Sequence, residues 1–392
     1  MKLLFVADGR SPTTAGWIGY FPAAGHEVHL VSTYPAEPLP GLASFTEIPG
    51  VFAAASAASG GGSGSRIRRM TAPGLRTAVR RLLEARTIHR RARRLREVIR
   101  QVEPDLVHAL RIPFEGILAA GALSPALGMA MRSVPLVLSV WGNDFTLHAA
   151  AGKRMGEWTR TALQQASAVI ADCARDIRLA HQWGFPPGMP TTVLPGGGGV
   201  RAEIFFPGDA APEQPMRIVQ PRGLRAYVEN EAFLHAVPAV LARYPETRFS
   251  CPGLKAGGNL AAVVDQLGIG RAIDLLPPVS QPELAALFRS SAIVLSPTTH
   301  DGTPNSLLEA LACGCFPVAG DLESIREWIT PGENGLLVDA GDPKSIARGI
   351  LDAIDAPTLR AEARKHNLQL ISERALYRNV MPQASDFYSS LT

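Results

Sequence analysis

The chain opens with the apolar run Leu3-Leu4-Phe5-Val6-Ala7, which is bounded by a charge and a glycine and reads as a buried strand. An apolar segment around Trp17 to Phe21 and a second run at Glu27 to Val31 follow, so the pattern begins as strand, helix, strand. Further strands are predicted at 105–110, 135–142, 168–171 and 191–195, with helical segments between them. Their hydrophobicity is continuous rather than alternating, as it is in parallel strands buried on both faces. The pattern restarts beyond a Pro-, Gly- and charge-rich stretch at 206–215, with strand runs at 217–220, 247–251, 272–277, 292–297, 316–320 and 335–339. Helices are expected at 343–355 and 357–371. The reading is an α/β chain of two open-sheet, Rossmann-like domains, 1–205 and 216–372, joined by the linker 206–215. The final segment, 373–392, is a candidate to cross back to the first domain.

Between the second and third strands lies a different pattern. Leu75, Val79, Leu82, Ala85, Ile88, Ala92, Leu95, Ile99 and Val102 recur at three- or four-residue spacing, the stripe of one long amphipathic helix. The preceding ASGGGSGS at 58–65 has the composition of a flexible loop.

Composition sharpens this picture. A chain of 392 residues that is 46% hydrophobic and 19% charged has room for two domains and is no disordered tail. The net charge of +4 is unevenly spread: residues 66–100 hold thirteen arginines against two glutamates, and the rest of the chain is net acidic. That concentration argues against a broad nucleic-acid-binding surface. It suits either a solvated helix face or attraction to an anionic membrane. The first residues lack the pattern of a secretory signal, and no uncharged apolar stretch reaches the roughly 18 residues needed to cross a bilayer. A cytoplasmic chain, peripheral at the inner face of the membrane through its arginine-rich helix, is the expectation. Cys173, Cys251, Cys313 and Cys315 have neither zinc-site spacing nor the number for a disulfide framework, so reduced core thiols are expected.

Candidate chemistry concentrates in SPTTHDGTPNSLLEALACG, residues 296–314, where a strand enters a turn and then a helix. Asp301 falls in the turn, Pro304 in the first helical turn and Glu309 on the helix, while Gly302, Thr303, Asn305 and Ser306 offer backbone or side-chain donors near a helix N-terminus. Such a turn can bind a sugar nucleotide; it is equally the form of a capped helix with surface acids. In VQPRGLRAYVENE, from Val219, Arg222 and Arg225 follow the first strand of the second domain and suit a phosphate, or an ordinary salt bridge. In the first domain, His108 ends one strand, and Trp141, Asn143 and Asp144 follow another in SVWGNDF. His108 suits a satisfied core position or a ligand contact, and Asn143 and Asp144 suit a cap or a hydroxyl.

These segments together resemble the retaining glycosyltransferases of family four, which have the GT-B fold. Asp301, Gly302, Pro304, Glu309 and Ala310 match the family pattern, with Asp301 in place of the more usual glutamate. Arg222 matches the donor-phosphate arginine, whereas Tyr227 stands where a lysine is usual and Arg225 is the candidate replacement. His108 matches the active-site histidine strand, and Trp141, Gly142, Asn143 and Asp144 resemble an acceptor-side loop. The loop with Gly9, Arg10 and Gly16 departs from the usual glycine pair, and LPGGGGV at 194–200 has Gly197 or Gly198 where an asparagine is common.

The resemblance implies two domains facing a central cleft. It also implies transfer of a sugar, with retained configuration, from a nucleotide-sugar donor to a hydroxyl of a carbohydrate or lipid-linked acceptor, in glycan or glycolipid assembly. Glu309 would hold the ribose, Asp301 the donor sugar, Arg222 and Arg225 the diphosphate, and Gly9, Arg10, Trp141, Asn143 and Asp144 would lie on the acceptor side. Neither a cofactor nor an obligatory divalent metal is implied. Two alternatives remain at this point: a sugar-nucleotide epimerase or hydrolase, and a noncatalytic protein that binds nucleotide sugar or a membrane surface.

Overall fold

The computed structural model describes residues 1–49, 73–125, 133–208, 215–255 and 259–392, with side chains of the helix Pro73–Val102 only from Ile88 onward. The loop expected at 58–65, most of the linker and the arginines before residue 88 fall outside this description. The chain divides into two compact units, Met1–Ala171 with Asp176–Val193 and Gln383–Thr392, and Asp172–Arg175 with Leu194–Pro382.

Unit one is built on seven parallel strands: β1 (Lys2–Ala7), β2 (Glu27–Ser32), β3 (Ser44–Glu47), β4 (Leu106–Ala109), β5 (Leu136–Val140), β6 (Ala168–Ala171) and β7 (Thr191–Val193). Their order is β3-β2-β1-β4-β5-β6-β7, so β1 pairs with both β2 and β4 at the point where the winding reverses. The apolar run Leu3–Ala7 is buried throughout, as a central strand covered on both faces must be. Only β3 was not foreseen; it is an edge strand whose four side chains are all half-buried, which leaves no apolar run to read. The expected long helix spans Pro73–Val102 and buries Ala92, Leu95 and Ile99. Arg90, Arg93, Arg94 and Arg100 point to solvent. Arg96 turns inward and donates to the carbonyls of Ala122 and Ser124, each at 3.0 Å, closing the C-terminal end of the neighbouring helix Ile117–Leu123.

Unit two carries six parallel strands: β8 (Arg217–Val219), β9 (Arg248–Cys251), β10 (Ile273–Leu275), β11 (Ile293–Ser296), β12 (Phe316–Gly320) and β13 (Leu336–Val338), in the order β10-β9-β8-β11-β12-β13. Successive residues face opposite sides of the sheet. Ile218, Leu295 and Val318 join Phe233 and Ile350 in one core, and Val219, Val294 and Ala319 join Leu307 and Leu311 in another. The helices Pro343–Asp355 and Pro357–Arg374 begin where their prolines place them, the first capped by Asp342, whose carboxylate accepts from the amides of Lys344 and Ser345. The glycines at 196–199 have a steric reason. Gly197, Gly198 and Gly199 all have positive φ, and a Cβ on Gly199 would lie 2.2 Å from the Ala375 carbonyl oxygen. All four cysteines are buried and free.

Candidate functional site

In unit two the winding reverses between β8 and β11, and the loops leaving their carboxyl ends open a crevice of the kind that binds ligands in open α/β sheets. Those loops carry Arg222 and Asp301, which meet in an ion pair although 79 residues apart in the chain. The guanidinium also donates from Nη1 to Ser306 Oγ at 3.1 Å. Its backbone is fixed from behind: the Arg222 amide donates to Gln220 Oε1 at 2.8 Å, and Arg225 Nη1 donates to the Arg222 carbonyl at 2.5 Å. Asn230 receives the Gln220 amide and donates to the Gly223 carbonyl at 3.1 Å, closing the turn.

The turn Asp301–Pro304 feeds the helix Asn305–Ala312. Pro304 is extended and sits at the cap position, just before the helix rather than in its first turn, and no side chain caps that end. The Arg222 guanidinium bonds Ser306 in that first turn and so lies beside the uncapped start of the helix. The Glu309 carboxyl, further along the helix, has no hydrogen bond among the described residues; burial lifts it to about 7 while Arg222 pulls it back. Asp301 is also raised, because burial outweighs the pull of Arg222, Arg225, the Gly302 amide and Arg175. Two weakly acidic carboxyls, two arginines and uncapped amides thus converge, an arrangement that can hold hydroxyls and phosphate together.

Two supports of this turn were not foreseen, because each comes from a distant segment. The first is Asp172–Arg175, which follows β6 in the chain but belongs to unit two. Thr303 Oγ1 donates to the Asp172 carbonyl at 2.5 Å and accepts from Trp328 Nε1 at 2.9 Å. A Cβ on Gly302 would lie 2.1 Å from Asp172 Oδ1, so any larger residue there must push the Asp172 carboxylate aside. The second is the 324–328 segment. Ser324 Oγ donates to the Asp301 carbonyl at 2.8 Å and accepts from Arg175 Nη1 at 3.2 Å, while Glu327 accepts from the amides of Ala174 and Arg175. The four-glycine loop also reaches the turn: a Cβ on Gly196 would lie 3.0 Å from Asn305 Oδ1.

The remaining candidates lie in unit one. Gly9 and Arg10 follow β1; Gly9 donates its amide to Ser32 Oγ at 3.1 Å, and Arg10 pairs with Asp8 and stacks 3.7 Å from the centre of the Tyr34 ring. Asp144 is buried and accepts from Arg111 Nε at 2.9 Å and from the amides of Trp141 and Ile112 at 3.1 and 3.3 Å. Asn143 Oδ1 accepts from Arg111 Nη2 at 3.0 Å, and the Arg111 guanidinium lies over the Trp141 ring. Asp144 is thus a fastener of two loops, fully engaged within the protein. Its neighbour Glu115, absent from the sequence reading, is buried, raised by burial to about 7 and bonded through Oε1 to Thr33 Oγ1 at 2.6 Å. Its only sequence signal is a lone acid in the apolar run Ile112–Ala120.

His108 requires a correction. It is fully buried within β4, its Nε2 is paired with Ser139 Oγ at 2.8 Å and its Nδ1 with the Tyr388 hydroxyl, and burial lowers its pKa to about 3. The structure places it as a neutral core histidine with both ring nitrogens occupied, and not at a site surface, because the strand interior offers it two hydroxyl partners and no solvent.

Comparison with known proteins matches the two halves separately. Residues 9–197 match the family model described as "Glycosyl transferase 4-like domain", and residues 224–356 the one described as "Glycosyl transferases group 1". Among curated relatives, a D-inositol 3-phosphate glycosyltransferase of Thermobispora bispora is 28% identical over 212 residues, 49% of each chain. One from Catenulispora acidiphila is 29% identical over 275 residues, 62% of this chain and 64% of the relative. The chain spans about half the length of the first of these relatives. Among solved structures, the sucrose-phosphate synthase of Thermosynechococcus elongatus superimposes with a TM-score of 0.73 at 13% identity, covering 100% of this chain and 99% of its own. Anabaena HepE, solved in complex with UDP-glucose, gives 0.71 at 15% identity over 100% of both. The chain therefore has the GT-B fold, and each of its halves is similar to a glycosyltransferase domain.

Proposed function

We propose that the chain is a retaining glycosyltransferase that moves a sugar from a nucleotide-sugar donor to an acceptor hydroxyl in glycan or glycolipid assembly. The observation that carries this reading is the convergence of Arg222, Asp301, Ser306 and Glu309 on the uncapped start of the helix Asn305–Ala312. In this reading the first-turn amides and Arg222, with Arg225 beside it, take the diphosphate, and their charge stabilises it as it departs. Glu309 takes the ribose hydroxyls and Asp301 a hydroxyl of the donor sugar. The loops bearing Gly9, Arg10, Trp141 and Asn143 take the acceptor. The bond from the anomeric carbon to the leaving phosphate oxygen breaks, the bond to the acceptor oxygen forms on the same face, and the acceptor proton passes to the phosphate.

The relatives support the donor class: one neighbour of the same fold was solved with UDP-glucose, and the curated relatives are named as glycosyltransferases acting on an inositol phosphate. A panel of nucleotide sugars and acceptors read by mass spectrometry, with and without EDTA, tests the reading. A glycosylated product that keeps the anomeric configuration of the donor and forms equally in EDTA is expected; inverted product or none across the panel sinks it. We further propose that the arginine face of the helix Pro73–Val102 holds the protein peripherally on an anionic, cytoplasmic membrane face, supported by the outward Arg90, Arg93, Arg94 and Arg100. No helix among the described residues is long and apolar enough to cross a membrane. Sedimentation with phosphatidylserine vesicles but not with neutral ones is the expected result, and equal absence of binding contradicts it.

A further inference from the structure

We propose that Asp301 is an internal counter-anion of Arg222 which the diphosphate of an incoming donor must displace, and that this displacement frees the carboxylate to take a sugar hydroxyl. The inference rests on the nucleotide-sugar reading above and adds a coupling between its two halves. The guanidinium has three uses for its donors here: Nη2 on Asp301 Oδ2, Nη1 on Ser306 Oγ, and a buried Nε with no partner. The Arg222 side chain is 8% exposed and that of Asp301 14%, so water screens the pair little and offers the arginine no substitute acceptor. The planar fork presents the same edge to a carboxylate as to a phosphate. An anion that takes the Nε–Nη2 edge of Arg222, the fork whose Nε is still without a partner, therefore competes with Asp301 for Nη2.

Arg225 does not take over Asp301: its Nη1 donates to the Arg222 carbonyl, and it acts on Asp301 through its charge, with no hydrogen bond to that carboxylate among the described residues. Nor can Asp301 stand aside without cause: the Gly302 amide supports its carboxylate and Ser324 holds its carbonyl. Binding a diphosphate thus exchanges one anion for another and releases Asp301 at the turn that is to meet the sugar. A ligand without a diphosphate leaves the pair closed, so the exchange selects for the intact donor over free sugar.

Calorimetric titration with inorganic pyrophosphate, which carries the contested chemistry without base or ribose, tests the exchange, with UDP and GDP titrated in parallel. Asp301→Asn is nearly isosteric and removes the competing charge; Asp301→Ser serves if that variant does not fold. Pyrophosphate is expected to bind either variant about tenfold tighter than the wild type, the ordinary scale of one charge-assisted contact. Glu309→Gln, which neutralises a nearby carboxyl with no hydrogen bond to Arg222, is expected to shift pyrophosphate binding by less than about twofold. Unchanged or weaker binding to the Asp301 variants overturns the inference, and so does equal tightening by Glu309→Gln, which would mean general repulsion. If UDP or GDP binds the wild type normally in either case, the nucleotide reading survives; if no diphosphate binds any form, that reading falls with the inference.

Discussion

Glu309, like Glu115 in unit one, changes its charge across neutral pH. Burial raises its carboxyl to about 7, with Arg222 opposing, so it is protonated on the acid side of that value and ionised above it. If it accepts the ribose hydroxyls, those bonds are strongest to the full carboxylate. The donor KM should therefore rise several-fold as pH falls from 8 to 6, and Glu309→Gln should be weaker at every pH and flat across that range. Steady-state kinetics on both forms decides it; an unaltered slope in the variant removes Glu309 from the donor site. The same shift carries a stability sign. A carboxyl raised in the folded state favours folding at low pH, and that contribution is lost as pH climbs from the ordinary 4.5 through about 7. His108 opposes it: an imidazole kept neutral down to about 3 favours folding above the ordinary 6.5 and loses that contribution as pH falls toward 3.

At the scale of elements, the donor turn depends on a segment far from it in sequence. The Asp172 carboxylate crowds Gly302 so closely that an added methyl must displace it. Gly302→Ala should cost about 1 to 3 kcal/mol of stability from overpacking, and it should lower transfer by displacing Asp301; a denaturant midpoint equal to the wild type would show that the turn yields freely. This contact also marks the limit of what the sequence displays. Central strands such as β1 and β11 were legible because burial on both faces leaves an unbroken apolar run, and the helix Pro73–Val102 because a stripe at three- and four-residue spacing has no other use. Arg222, Asp301 and Glu309 were legible through their turns and their resemblance to a known pattern. Arg175, Ser324 and Trp328 were not, since a hydrogen bond between residues 25 or 149 positions apart leaves no local periodicity. His108 was ambiguous for a physical reason: a histidine in an apolar strand looks the same whether its partners are Ser139 and Tyr388 or a ligand.

For the whole molecule, each unit is a parallel sheet wound outward from a central pair of strands, and in unit two the groups suited to sugar and phosphate gather where the winding reverses. That location follows from topology, because adjacent loops that leave in opposite directions cannot cover the strand ends between them. The outward Arg90, Arg93, Arg94 and Arg100 are a separate matter, belonging to unit one and to the vesicle experiment. The central claim, that Arg222 stabilises a departing nucleoside diphosphate during sugar transfer, is tested most directly by comparing wild type and Arg222→Ala in the mass-spectrometric transfer assay. The wild type should release one nucleoside diphosphate per glycosylated acceptor, and Arg222→Ala, still folded, should fall at least about a hundredfold in kcat. Turnover near the wild-type rate in the folded variant, or diphosphate released without any glycosylated product, would contradict the account.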